Sequence, residues 1–233
     1  QVYLARMREA VEDFESVAWD MHPDDFAYIP FHTPFPGMVR KAGLLGYRHI
    51  IRDTEIEDEL ADEIGRQPRE GEFEDREAYE EAIRGYMDDL KDTEKYRSWY
   101  ADTIEPTLSI SREVGNWYTG SVHLARASAL QAAAAEGAQL AGSRLLVGSY
   151  GSGAQAEIHS ETVREGWREE IAALNLEEQL DERYDLSFHE YEQIHDVHNY
   201  DKEMDIEAFT ESSGEFVFDS WGSMKERKYE WVA

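Results

Sequence analysis

Cysteine is absent from the 233-residue chain. No disulfide can staple the fold and no thiolate can hold a metal, which fits a protein of a reducing cytosol. Long apolar runs are absent too. No stretch of 18 hydrophobic residues occurs, so no membrane-crossing helix is expected. A basic-then-apolar leader of the secretory kind is also missing, and the expected location is cytoplasmic. Positive charge is scarce. Lysine and arginine number 23 against 51 aspartates and glutamates, a net charge of −28, and only 6 of the 23 are lysine. A surface of that sign repels nucleic acid and anionic membranes, so neither is an expected partner.

An acidic, lysine-poor composition is shared with disordered chains. Here, however, 41% of residues are hydrophobic and 12% aromatic, which is enough to build a core. The expected protein is folded beneath a carboxylate-covered surface, of the kind found in high-salt cytoplasm, where salt screens self-repulsion. A length of 233 residues suits one domain or one half of a two-lobed fold. The chain begins at Gln1 and reads as helix from Val2, so it is expected to be cut from something longer.

Leu4, Met7, Val11, Phe14 and Ala18 recur at helical spacing and predict an amphipathic helix over 2–19. His22-Pro23-Asp24-Asp25 is a turn, and Phe26 to Phe31 an apolar run of strand length. Pro34 and Pro36 suit the first turn of a helix that runs to about Leu45 and ends at Gly46. Residues 53–95 are dominated by Asp, Glu and Arg and predict an exposed acidic helical insertion, with a loop at Gln67-Pro68-Arg69-Glu70-Gly71. One or two helices fill 106–137, with a break near Gly115-Asn116 and an alanine-rich, buried second part. Arg144 to Ser149 reads as a buried strand and Ala154 to Ser160 as its return. Ser187-x-x-Glu190 is a capping box that starts a helix. Phe216-Val217-Phe218 and Tyr229-Glu230-Trp231 flank Gly222 as a hairpin. The fold class is α/β.

Three motifs carry chemistry. His32 stands in Pro30-Phe31-His32-Thr33-Pro34-Phe35, at a strand-to-helix turn, where α/β folds place reacting groups. A histidine in apolar surroundings is more often a core or turn residue, but histidine is also the side chain best suited to proton transfer near neutral pH. Asn116, in Gly115-Asn116-Trp117-Tyr118-Thr119-Gly120-Ser121, is either a helix cap or an amide donor to a substrate carbonyl. Gly148-Ser149-Tyr150-Gly151-Ser152-Gly153 is either an ordinary glycine turn or a set of backbone N–H groups facing a ligand oxygen. His189, His195 and His198 have partial metal-ligand spacing but no fourth ligand, and no metal is expected. His22, His49, His123 and His159 carry no pattern.

FHTPFPGMVRKA, GNWYTGSVHLA and GSYGSGAQAE together resemble the C-terminal half of hydroxymethylglutaryl-CoA synthases, condensing enzymes of the thiolase-like fold. The resemblance runs through most of residues 1–233 and is loosest over 53–95. It implies a mixed sheet packed by helices and ending in a β-hairpin. It also implies condensation of acetyl-CoA with acetoacetyl-CoA in the mevalonate route to isoprenoids, with these thioesters as substrates and no cofactor. In that family a cysteine takes the acetyl group, a glutamate deprotonates its methyl, and the carbanion attacks the ketone of acetoacetyl-CoA. Both residues belong to the N-terminal half, an expected partner, and the family forms homodimers. By the same resemblance His32 is the general acid/base. Asn116 holds the acetoacetyl group, and Ser152, with Ser149 as second choice, lines that pocket. Lys41, nine residues after His32, contacts CoA. A second family lysine falls at Gly37, so by the resemblance one CoA contact is either missing or supplied elsewhere, Arg40 being one candidate. Ketoacyl synthases share the fold, but the GSYGSG turn stands closer to the first family. A non-catalytic scaffold subunit has no need of the His32-Asn116 pair.

Overall fold

The computed structural model describes residues 2–18, 21–151, 153–195, 215–221 and 227–232. The chain divides into a large unit, residues 1–182, and a small one, residues 183–233.

The large unit is organised around an antiparallel pair, β1 (Arg144–Gly151) and β2 (Gln155–Thr162), whose register sets Leu146 opposite Ser160 and Ser149 opposite Glu157. The Phe26–Phe31 run lies parallel to β1, with bridges at Tyr28–Leu145 and Phe31–Gly148. Leu146 N–H donates to Tyr28 O, Gly148 N–H to Pro30 O and His32 N–H to Gly148 O. Alternation in that ladder asks residue 30 for an N–H toward Leu146. Proline has none, so one rung is missing and the run is recorded as two bridges rather than a strand.

Side chains alternate across β1 with period two. Leu146 enters one core, with Ile29, Phe31, Met7 and Val11; Leu145 and Val147 enter the other, with Tyr28, Ala129 and Ala133. The first core is covered by α1 (Val2–Val17) and α2 (Pro36–Ile50), the second by α7 (Ser121–Ala135) and α8 (Trp167–Ala172). Helices thus pack both faces of a small mixed sheet. On α1 the buried stripe is Tyr3, Met7 and Val11, with Leu4 and Phe14 half-buried at its edges. On α7 three alanines at four-residue spacing, Ala125, Ala129 and Ala133, are fully buried and let the helix lie close to its neighbours.

Two expectations need correction. The helix begun at Pro36 does not end at Gly46; it continues to Ile50, because Tyr47, Arg48, His49 and Ile50 are all buried. That burial outweighs the roughly 1 kcal/mol that a helical glycine costs. The 53–95 stretch forms α3 (Glu55–Ile64) and α4 (Arg76–Leu90), but it is not exposed throughout, because Leu60, Tyr86 and Leu90 join the first core. Glu57 is 2% exposed and is held by Arg69, whose Nη2 lies 2.8 and 3.0 Å from the two carboxylate oxygens.

Beyond α4 come α5 (Glu94–Thr103) and α6 (Ser109–Val114). The helix break falls at Gly115, whose φ of 77° is open to glycine without strain. In chain order α9 (Leu176–Asp181) ends the large unit. The small unit holds α10 (Phe188–His195), which begins directly after Ser187, and the antiparallel hairpin β3 (Glu215–Trp221) and β4 (Arg227–Val232).

Candidate active site

His32 is 6% exposed. Its main chain is fixed from two sides: its N–H donates to Gly148 O at 2.7 Å, and its carbonyl accepts from the Tyr3 hydroxyl at 2.8 Å. The next residue, Thr33, donates from Oγ1 back to Phe31 O at 3.0 Å and closes the turn. The imidazole lies between two tyrosines, with ring centroids 6.3 Å from Tyr3 and 5.8 Å from Tyr150. Nδ1 is buried without a hydrogen-bond partner among the described residues. Burial pulls the imidazole pKa below its usual value, so the ring is neutral at neutral pH.

Gly148 makes the approach possible. A Cβ there would stand 2.5 Å from Phe31 Cδ1, so any larger residue forces the Phe31 ring to shift. The first and third motifs are joined through main-chain hydrogen bonds, Gly148 N–H to Pro30 O and His32 N–H to Gly148 O.

The second motif reaches β1 from the α7 side, where the Tyr118–Gly120 turn packs beside the strand. Asn116 is exposed, and its Oδ1 accepts from Tyr118 N–H at 2.9 Å and from the Ser121 hydroxyl at 3.2 Å. The turn holds Tyr118 at φ 49°, a conformation bulky residues seldom adopt. Both bonds use the amide oxygen, so the donor end of Asn116 is not spent in building the turn. Ser149 is half-buried on β1 and alternates onto the face of Leu145 and Val147, whereas Tyr150 takes the His32 face. Ser152, the preferred serine of that turn, lies outside the described residues.

Lys41, Gly37 and Arg40 sit within four residues of one another on the exposed side of α2. Arg40 is already engaged, with its guanidinium carbon 5.9 Å from the Tyr100 ring centroid. Lys41 has no ion-pair partner among the described residues. Of the suggested metal cluster, His189 opens α10, while His198 and the side chain of His195 lie outside the described residues. No group of three or more metal-ligating side chains occurs among the described residues. No helix among them is long and apolar enough to cross a membrane.

Two residues around His32 were not singled out from the sequence. Tyr3 has the same four-residue spacing as Met7 and Val11 and could have been read as part of their stripe. Tyr150 stands inside the glycine motif, where the glycines and serines draw attention first.

A mixed sheet with helices on both faces, and a buried histidine pinned to a glycine-rich strand, is the C-terminal half of a thiolase-like α/β fold. Residues 1–230 match the sequence profile of the hydroxymethylglutaryl-coenzyme A synthase C terminal family, and the chain belongs to that family. The hydroxymethylglutaryl-CoA synthase of Haloferax volcanii is 67% identical over 232 residues, covering 100% of this chain and 52% of that protein. Among solved structures, MvaS in complex with 3-hydroxy-3-methylglutaryl coenzyme A superimposes with a TM-score of 0.69 at 25% identity, over 99% of this chain and 50% of that one. PksG, an HMG-CoA synthase from Bacillus subtilis, superimposes with a TM-score of 0.68 at 22% identity and shares the fold, over 99% of this chain and 49% of its own. The chain therefore spans about half the length of the relatives it matches.

Proposed function

We propose that this chain is the acetoacetyl-CoA-binding half of a hydroxymethylglutaryl-CoA synthase, which joins acetyl-CoA to acetoacetyl-CoA. The observation that carries the reading is the state of His32: buried, neutral, fixed by Tyr3 and Gly148, and placed in a chain that is 67% identical to a named synthase along its whole length.

In the proposed reaction a new bond forms between the acetyl methyl carbon and the ketone carbon. The ketone's π electrons move to its oxygen, which becomes negative. The C–H bond broken at the acetyl methyl gives its proton to the general-base glutamate. His32, neutral in the free lobe, takes up a proton at Nε2 as charge builds on the nearby ketone oxygen and passes it to that oxygen, returning to the neutral ring. Because Nδ1 is sealed in the core, that proton passes through Nε2. Positioned acid/base assistance of this kind is worth about 10²–10⁴-fold in rate. The free donor end of Asn116 holds the acetoacetyl carbonyl, with Ser152 lining the same pocket; Ser149, which β1 turns to the Leu145/Val147 face away from the His32 ring, stays the second choice. Lys41 faces the anionic part of CoA. With glycine at position 37 and Arg40 engaged on Tyr100, Lys41 bears that contact on its side of α2.

The nucleophilic cysteine and the general-base glutamate are assigned to the N-terminal half. Phe35 in the first motif and Trp117 and Tyr118 in the second are 54%, 59% and 79% exposed, apolar surface on which that half is proposed to close. Residues 53–95 are read as an acidic helical addition to the lobe. The whole enzyme is proposed to be a cytoplasmic homodimer.

The test compares two steps in the complete enzyme carrying His32→Ala. Single-turnover acetylation of the cysteine should stay close to wild type, while overall turnover falls by about 10²–10⁴-fold. Equal losses in both steps defeat the assignment. The 233-residue chain alone, incubated with radiolabelled acetyl-CoA, should carry no acid-stable label, since it has no cysteine to acylate.

A further inference from the structure

Arg48 lies near the C-terminal end of α2 and is 8% exposed, yet neither its Nε nor its Nη1 has a hydrogen-bond partner among the described residues. A guanidinium buried in this state is costly unless an anion meets it. The negative end of α2 offsets part of the charge but leaves those two N–H groups unmet. The nearby buried carboxylate, Glu57, is already taken by Arg69.

Arg48 lines an open groove of about 470 Å³, walled by α1, α2 and α4. Three more arginines share it: Arg8, Arg76 and Arg84. Arg8 is paired with Glu12 at 3.7 Å and Arg76 with Glu80 at 2.9 Å. Arg84 has no ion-pair partner among the described residues, and Glu70 is the one further carboxylate of the lining. Four cations thus face three carboxylates, in a chain whose acids outnumber its bases 51 to 23. The groove is separate from the His32 site. None of the residues around the His32 ring lines the groove, although Arg48 also borders a small cavity that Phe31, the neighbour of His32, closes from the other side.

We propose that this groove is an oxyanion site, and that it takes a phosphate group between Arg48 and Arg84. The planar N–H fork of arginine matches phosphate oxygens, and the lining's surplus of one positive charge favours an anion, a singly charged phosphate being balanced by it. The volume falls in the range of small-molecule pockets, so the phosphate comes either free or carried on a larger organic molecule. The proposal does not depend on the condensation chemistry.

The experiment titrates inorganic phosphate, and separately ADP, into the purified protein at constant ionic strength set with KCl. Phosphorus NMR linewidth and the thermal midpoint are followed in wild type, Arg84→Gln and Arg48→Met. Saturable phosphate binding is expected in wild type, weakened about tenfold or more in Arg84→Gln, which changes an exposed side chain and leaves the core intact. Arg48→Met should abolish the response while leaving the unliganded protein as stable or more so, because it removes a buried charge. If Arg48→Met does not fold, Arg84→Gln decides alone. ADP binding tighter than phosphate, and weakened in the same variants, identifies an organic phosphate; equal affinities identify the free ion. Absence of saturable binding by either probe, or binding unaltered in the variants, overturns the proposal.

Discussion

A buried histidine without a partner on Nδ1 is an expensive residue to keep, and the expense has a pH signature. Burial lowers the folded pKa of His32 below the 6.5 of a free imidazole. Between those two values the unfolded chain binds more protons than the folded one, so stability rises with pH across the window. The contribution is complete above about pH 6.5 and is lost as pH falls toward the folded value. Denaturant midpoints measured from pH 7.5 downward should therefore fall less steeply in His32→Gln than in wild type; identical slopes would show that the ring is not held neutral. Asn116 offers a cleaner separation of turn from function. Its Oδ1 builds the turn through Tyr118 and Ser121, so Asn116→Asp keeps the acceptor while removing the amide donors. The complete enzyme carrying Asn116→Asp should stay folded to within about 1 kcal/mol and lose turnover by at least tenfold. Unchanged turnover would reduce Asn116 to a structural cap. At Gly148 the limit is steric. Gly148→Ala drives a methyl into Phe31 and should destabilise by about 1–3 kcal/mol in a denaturant titration, moving His32 with it.

Among the elements, Arg69 shows best what a segment of acidic sequence conceals. It joins the loop after α3 to Glu57 on α3 and to Asp53 before it, 2.9 Å from Asp53 Oδ1. Removing it strands a carboxylate that is 2% exposed. Arg69→Ala should cost about 3–5 kcal/mol, while the double variant Glu57→Leu with Arg69→Met should recover most of the loss, as removal of both buried charges usually does. A double variant no better than the single would assign the cost to lost packing instead. The same region marks where reading the sequence stopped. Periodicity finds α1, the helix break at Gly115, β1 with its return strand, and the two paired strands of the terminal hairpin, because each has an unbroken pattern; the turn assigned to Gly222 lies outside the described residues. It misplaces the end of α2, since Gly46 resembles a stop signal and only the burial of Tyr47 to Ile50 shows otherwise. It leaves 53–95 on the surface because eighteen acids hide the few apolar side chains that anchor it, Leu60, Tyr86 and Leu90. The residues of the site were legible as motifs. Their meeting was not, because the N–H of His32 and the carbonyl of Gly148 are main-chain groups, alike in every sequence.

For the whole molecule the governing quantity is charge. At −28 the chain repels itself, and the carboxylates are too many for 23 bases to pair. Salt acts by shortening the reach of each charge, from about 10 Å at 0.1 M to about 3 Å at 1 M. The repulsion is densest over 53–95, where 18 acids face 6 bases, and no residue of the 65–75 link between α3 and α4 joins either hydrophobic core. Raising KCl from 0.1 to 2 M should therefore raise the thermal midpoint steadily, whereas surface pairs such as Arg66–Asp58, 2.9 Å apart, should weaken over the same range and contribute little. At low salt the first proteolytic cut should fall within 65–75, before tryptophan fluorescence reports any change at Trp99, whose ring packs at a tilt against Tyr47 in the first core, 4.7 Å between ring centroids. As salt rises, that cut should become slower and then coincide with global unfolding. A midpoint indifferent to KCl, or a first cut elsewhere, would show that packing rather than screened repulsion sets the stability of this lobe.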